Sequence, residues 1–440
     1  MKQYIFASFL SLMLSPLFAQ QELGLHFMTN IWQSQETQPA YFTPKKVVIA
    51  FPSSYYNFSN SGFSLNKLFL KTNDSLSISP DNLLSNLKTE NYLRGNLSVA
   101  PLALGLRFGN LQFGLSTAVK TSMYAAYSKD MVGLFLQGNG KYIGQTVNMG
   151  VDFAVSAYSE IGLSGAYRFL KNEKGEERLA VGAKIKYLNG LADFSVSPNH
   201  KEISLYTDPE FYAITLKTDY QIQSSMIAIG DSTDLAFSSN SIKSFSNNNG
   251  WGLDLGASFQ ITDKWNVSAS VIDIGQIHWK ENTKTFKSAG QYEYSGVTFN
   301  QLVKGGESVD FQALGDTLRE TFQFKGAEAK NYTTSLPTKY YLSTTYKPLS
   351  FLRIGGLFYG ESFHKKFNPA LAISGNLEWE IGSIGLVASY RNGRIGNLGL
   401  NAALTWGWFQ LFVASDHVIG LIAPDATRNA NLRGGMNLAF

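Results

Sequence analysis

The sequence contains no cysteine, which excludes disulfides, a thiolate metal site, a thiol nucleophile and a lipid-attachment cysteine. Histidine is scarce too, with five in 440 residues, and the motifs that would give a histidine or serine catalytic work are missing: there is no His-Glu-x-x-His, no Gly-x-Ser-x-Gly, no phosphate-binding loop and no calcium loop. The adjacent pair Asp416-His417 follows a strand end and is read as an exposed loop pair. Beyond the first 19 residues no stretch approaches the 18 or more apolar residues of a membrane helix. Charge is modest at 16% of residues, and the net charge of +4 falls to +3 if Lys2 is removed with a leader, so no nucleic-acid partner is implied. The chain is therefore read as no enzyme, with no cofactor and no metal.

Aromatics and glycine are abundant, with 22 Tyr, 31 Phe, 7 Trp and 40 Gly, while mean hydropathy is only −0.09. An aromatic-rich, glycine-rich chain without long apolar runs is the profile of a β-barrel whose strands alternate lipid-facing and lumen-facing residues. Lys2, the apolar run Tyr4 to Phe18 and the step Ala19-Gln20 read as a secretory signal peptide, residues 1–19, cleaved after Ala19. Residues 20–44 show no sustained period and carry Pro39 and Pro44, so they form an N-terminal arm or plug. Residues 45–440 are assigned to the barrel.

Hairpin grammar repeats through that span. Leu102, Leu104, Leu106 and Phe108 alternate with small or polar residues, Gly109-Asn110 turns the chain, and Leu111, Phe113, Leu115 and Val119 resume the alternation. Similar pairs surround residues 171–177 and Thr262-Asp263-Lys264, and beyond Pro337 strands follow nearly continuously. The expectation is an all-β fold, a single transmembrane antiparallel barrel of about 14 strands within a range of roughly 12 to 16. A few short helices are expected in the loops: one at Ser79 to Leu87 with Ser79 as N-cap and Pro80 at the first turn, one at 129–135, and one at 311–322. Residues 224–250 read as a loop rich in Ser and Asn. Trp251, Trp265, Trp379, Trp406 and Trp408 stand near strand ends, where amphipathic rings favour a lipid–water interface.

The last eight residues place a polar side chain at Arg433, Gly435, an apolar Leu438 and a terminal aromatic Phe440, the spacing read by the barrel assembly machinery of the bacterial outer membrane. This segment is taken as closing strand and assembly signal, with nothing expected after it. On the face opposite the apolar one, charge recurs at Arg107, Lys120, Glu160, Arg168, Lys184, Lys186, Asp254, Arg353 and Glu378. Each would cost about 2–4 kcal/mol in lipid near the midplane, so these side chains are expected to face the lumen. Two readings stay open there: salt-bridged filling of a closed lumen, or a partly open conduit whose Arg107, Lys120, Lys184 and Lys186 attract an anionic head group while Leu357 and Val387 contact an acyl tail.

Asn91-Tyr92-Leu93-Arg94, the run Leu102 to Leu115, Asn139-Gly140 with Ile143-Gly144, Ser204 to Pro209, Val271 to Trp279 and Leu336 to Tyr340 together resemble a family of Bacteroidota outer-membrane proteins catalogued as a domain of unknown function. The resemblance runs from about Ala40 to Phe440 and extends, more distantly, to the long-chain fatty acid transporter barrels and to the shuttle and anchor barrels of type IX secretion. It implies a barrel in the outer membrane of a Gram-negative bacterium and brings no catalytic motif. Gln38-Pro39-Ala40 looks like a variant of the Asn-Pro-Ala found early in several such barrels, and no binding role is given to it. Two functions follow as expectations: a barrel passing or binding a hydrophobic or amphipathic small molecule, or a non-conducting scaffold for a surface or secretion-system protein. Expected partners are outer-membrane lipid, the assembly machinery, and one of those two classes of ligand.

Overall fold

The structure, a computed structural model, describes residues 23–64, 66, 69–72, 75–171, 177–229, 235–237, 246–294, 325–364, 366–391, 394–423 and 426–440. The expected signal peptide with Ala19 and Gln20, and the helix expected at 311–322, lie outside the described residues.

Alternating apolar and polar side chains make a surface that water tolerates on one face alone, and here the strands solve this by closing on themselves. Fourteen antiparallel strands form the wall. In chain order they are β1 (Val47–Ala50 continuing as Ser53–Asn60), β2 (Glu90–Ala100 continuing as Ala103–Phe108), β3 (Leu111–Ser128), β4 (Asp152–Lys171), β5 (Glu177–Thr207), β6 (Asn249–Gln260), β7 (Trp265–Trp279), β8 (Tyr332–Ser335 continuing as Thr338–Leu349), β9 (Leu352–Phe363), β10 (Lys366–Trp379), β11 (Gly382–Arg391), β12 (Arg394–Trp406), β13 (Phe409–Ser415) and β14 (Asn429–Ala439). β14 closes the ring against β1, with Val48 opposite Ala439 and Ser54 opposite Gly434. Closure removes the unpaired edges that an open sheet of this size would expose.

The connections are asymmetric. The tight turns β2–β3, β6–β7, β8–β9, β10–β11 and β12–β13 share one end with the C-terminus and the start of β1; Gly109 takes φ +58° to make the first of them. The long connections after β1, β3, β5, β7 and β13 leave from the opposite end. They carry α2 (Pro80–Asn86), whose Ser79 accepts a hydrogen bond from the Asn82 N–H, α3 (Lys129–Gln137) and α4 (Val418–Ile422); α1 (Leu23–His26) precedes the wall. β5 runs past the wall. Its residues beyond Asn189 pair with a strand at Ile214–Ser225, which pairs in turn with Thr283–Tyr294, building a sheet outside the ring.

The outside of the wall is a belt of exposed apolar side chains, with Leu163 65%, Ile185 67%, Leu342 59% and Ile373 67% exposed. Contiguous apolar surface on this scale suits hydrocarbon and not water. Trp265, Trp379, Trp406 and Trp408 stand exposed near the turn end and Trp251 near the other. No helix among the described residues is long and apolar enough to cross a membrane.

Candidate functional site

The lumen is occupied by the chain's own N-terminal residues. From Leu23 to Thr43 nearly every side chain is buried, and the segment follows a hydrophobic logic on three sides. Leu23 and Phe27 pack with Ile272, Leu357, Tyr359 and Val387; Leu25, Met28 and Ile31 pack with Ala403, Phe412 and Ala414; Ala40 and Phe42 pack with Ala166 and Ala180. Leu357 and Val387 thus do line the inside, but against this segment. Trp32 lies on Gly105 and Gly114, where a Cβ would fall 2.2 and 2.6 Å from its ring, so these two positions must stay bare for the indole to fit.

Polar contacts fix the register. Gln33 and Asn437 exchange amide hydrogen bonds at 2.7 and 3.1 Å, Arg433 donates to Glu36 at 2.9 Å, Gln112 donates to the Tyr41 carbonyl and accepts from Thr43 N–H, and Ser270 donates to the Thr37 carbonyl at 2.6 Å. His26 sits between Thr37 and Ser343 and stacks on Tyr341. Gln38 donates to the carbonyls of Ala257 and Ala269 in neighbouring strands. At the far tip, the Asp416 carboxylate accepts from Leu23 N–H at 3.1 Å and Gly24 N–H at 2.6 Å, while Asn431 donates to it at 2.9 Å. Asp416 and His417 are both buried, which corrects the expectation of an exposed pair. The reason is that a strand end facing an open lumen would be wet, whereas here the N-terminal segment covers it. Burial pushes the His417 imidazole below its ordinary range, and its Nδ1 has no partner among the described residues.

The charged positions form a chain along one side of the lumen. Glu160 on β4 accepts from Lys120 at 2.7 Å and Lys184 at 2.8 Å, and Lys186 on β5 bridges Asp254 at 2.6 Å and Asp273 at 2.5 Å. Lys339 stands 3.4 Å from Asp273. Asp273 was not among the positions that the alternation singled out. Strict alternation puts it on the outer face with Val271, but β7 carries a bulge there: Ile272 and Asp273 together oppose Asp254, Asp273 has φ +60°, and its N–H is satisfied by the Asp254 carboxylate at 2.7 Å. The bulge turns the carboxylate inward. These groups line a cavity of about 120 Å³ beside Trp32 and Tyr55.

The remaining expected charges lie toward the turn end. Arg107 donates to the carbonyl of Thr43 at 2.8 Å, Arg168 stacks 4.0 Å over the Phe42 ring, and Arg353 pairs with Glu378 at 2.9 Å and reaches Thr29. In the closing strand, Arg433 and Gly435 face inward and Gly435 lets Phe412 and Ser53 approach; Leu438 faces outward and Phe440 stacks on Trp408 at 6.3 Å. Among the described residues no group of three or more His, Asp or Glu side chains converges as metal ligands would.

A family described as a family of unknown function, DUF5723, matches residues 39–416. No curated protein matches the chain. Among solved structures, the toluene transporter TbuX of Ralstonia pickettii aligns at 10% identity over 93% of this chain and 94% of its own, with a TM-score of 0.44. The Pseudomonas putida toluene transporter TodX aligns at 9% identity over 96% and 98%, TM-score 0.41, and a Pseudomonas aeruginosa FadL homologue at 11% over 96% and 97%, TM-score 0.39.

Proposed function

We propose the function of this chain, which belongs to the DUF5723 family of unknown function, from its own geometry: an outer-membrane barrel that takes up a hydrophobic or amphipathic small molecule and is held shut at rest by its N-terminal plug. The observation that carries this is a juxtaposition across the wall. On the outer face, an apolar concavity of about 830 Å³ is rimmed by the exposed Phe113, Tyr167, Leu255, Leu342 and Phe358. Directly inside it, Pro39 and Gln38 of the plug press against Gly182 and Gly256, so backbone alone separates an apolar groove from the plug. A pocket of that size and polarity suits a small apolar ligand. The belt of exposed apolar side chains and the flanking tryptophans support the membrane setting, with the tight turns facing the periplasm.

The test is binding of a fluorescent acyl probe to the purified barrel together with planar-bilayer recordings of the full chain and of a chain lacking residues 20–41. Saturable probe binding, a quiet full-length barrel and steady conductance without the plug are expected. Absence of probe binding combined with a silent plug-less barrel would sink the reading. A scaffold for a surface or secretion-system protein is the second reading, favoured by the sheet that β5 builds outside the ring and by Phe211 and Tyr212, 78% and 63% exposed at its hairpin tip. A partner recovered in stoichiometric amount, and lost on Phe211→Ala with Tyr212→Ala, would support it; recovery of the barrel alone would count against it.

A further inference from the structure

The mouth at the long-connection end is bridged by the β9–β10 hairpin. The connection between these two strands is two residues long, and its His364 takes φ +48°, a conformation for which Gly or Asn is the usual choice. From this tip the hairpin reaches strands that are not its neighbours in the wall. Glu361 pairs with Arg94 of β2, both side chains buried; His364 Nδ1 lies 3.1 Å from the Asp152 carboxylate at the start of β4; and Lys366 reaches Glu90 of β2 at 2.6 Å. Phe363 and His364 pack on the Tyr124 ring of β3 with centroids 5.6 and 5.2 Å away, and the Arg94 guanidinium lies 5.5 Å from the Phe363 centroid. The ladder bonds of β9 run to β8 and β10, and among the described residues no backbone–backbone hydrogen bond joins the hairpin to β2, β3 or β4. Contacts made by side chains can part while the ladder of the wall stays whole. Arg94 also lines the cavity of about 120 Å³ at its long-connection end; Asn96, Ser98 and Ala100 continue the lining along β2, and Trp32 and Glu36 of the plug bound it.

We propose that the β9–β10 hairpin is a gate over this chamber, clasped to β2 and β4 by the Arg94–Glu361, His364–Asp152 and Lys366–Glu90 pairs, and that it swings out as a unit to admit a small molecule from the side of the long connections. A buried ion pair adds little stability over a packed apolar contact, because both charges give up water to form it. For the same reason both partners regain water when the hairpin leaves, so a charged clasp releases more readily than an apolar one. The inference rests on the proposed uptake function and gives its path a gate distinct from the plug. Its assay follows a thiol and needs neither ligand nor conduction, so either reading can fail while the other stands.

The chain has no cysteine, so Ser122→Cys on the chamber wall supplies a single thiol, and its rate of modification by a water-soluble maleimide is followed in the purified full chain in neutral detergent. Glu361→Gln and His364→Ala should each raise that rate by about tenfold. Met28→Cys, a thiol in the plug at a position 2% exposed, should label no faster in the same two backgrounds. Lys366→Glu sets a like charge against Glu90 at an exposed pair whose loss leaves assembly intact; it should raise the Ser122→Cys rate by about threefold, and adding Glu90→Lys should bring it back. Barrel integrity is read from heat-modified migration. Rates unchanged by Glu361→Gln and His364→Ala in intact barrels would overturn the gate, and so would an equal rise at Met28→Cys, which would mark general loosening. Where either of those two variants fails to assemble, a Lys366→Glu rate equal to that of the Ser122→Cys parent overturns it.

Discussion

Replacing Asp416 by Asn tests how the plug is held. The carboxylate accepts two backbone N–H groups from the plug tip, at 3.1 and 2.6 Å, and lies buried beside Asn431. Hydrogen bonds to a charged acceptor contribute about 1.5–3 kcal/mol each. Asn keeps the shape and one acceptor oxygen but turns an NH2 toward the second N–H, so about 1.5–3 kcal/mol of tethering is lost. That raises the population with the tip released by roughly ten- to a hundredfold. Because the chain has no cysteine, Met28→Cys supplies a single thiol in a plug position that is 2% exposed. Its rate of modification by a water-soluble maleimide, under conditions where closing outpaces labelling, reads the released population directly. The Asp416→Asn chain should label roughly ten to a hundred times faster than the Asp416 parent. Equal rates, with the barrel intact by heat-modified migration, would refute the tether.

His417, the next residue in the chain, adds a pH dependence at the same strand end. Its imidazole pKa is lowered by burial, so the fold favours the neutral ring; stability is fully present above the ordinary imidazole range and is lost as pH falls through the lowered value. Labelling of the Met28→Cys chain, taken relative to a free thiol at the same pH because the thiolate is what reacts, should therefore rise on acidification, and His417→Gln should flatten that rise. Lys186→Met leaves Asp254 and Asp273 facing each other without their shared cation and should cost about 3–5 kcal/mol in urea unfolding, partly restored by adding Asp254→Asn; a loss under about 1 kcal/mol would show that Lys120 and Lys339 suffice. Deleting Phe440, whose ring stacks on Trp408, should lower the amount of barrel in the outer membrane without altering ligand binding, measured by membrane fractionation.

The barrel was legible because its code is local. Leu102 to Val119 declares a hairpin by alternation and a Gly-Asn turn, and neighbours such as Phe113 and Gly165 fall into register without any long-range information. The lumen was harder to read. Lys186 and Asp254 show themselves as charges on the wrong face of a strand, but Asp273 is brought beside them by a one-residue bulge that alternation cannot register. The cavity of about 510 Å³ between the plug and the wall at the turn end draws Lys264 from one turn, Lys347 from another strand end and Arg178 from a third, and each alone looks like an ordinary interfacial cation. Asp416 reads as exposed from the sequence for the same reason. What buries it is a segment almost 400 residues away, with no periodicity of its own to predict where it would lie.

That separation fixes an order of events. Synthesis makes the plug first and β14 last, yet Gln33 meets Asn437 and Glu36 meets Arg433 across the seam where β14 joins β1. Trp32 seats tightly on Gly105 and Gly114 inside the wall, so the N-terminal segment is expected to find its place while the wall is still an open sheet. The chain then folds as a staved cask is built, hooped around contents already standing inside. Errors in the plug should surface first as slow closure of the ring, whose β14–β1 pairing does not itself need the plug.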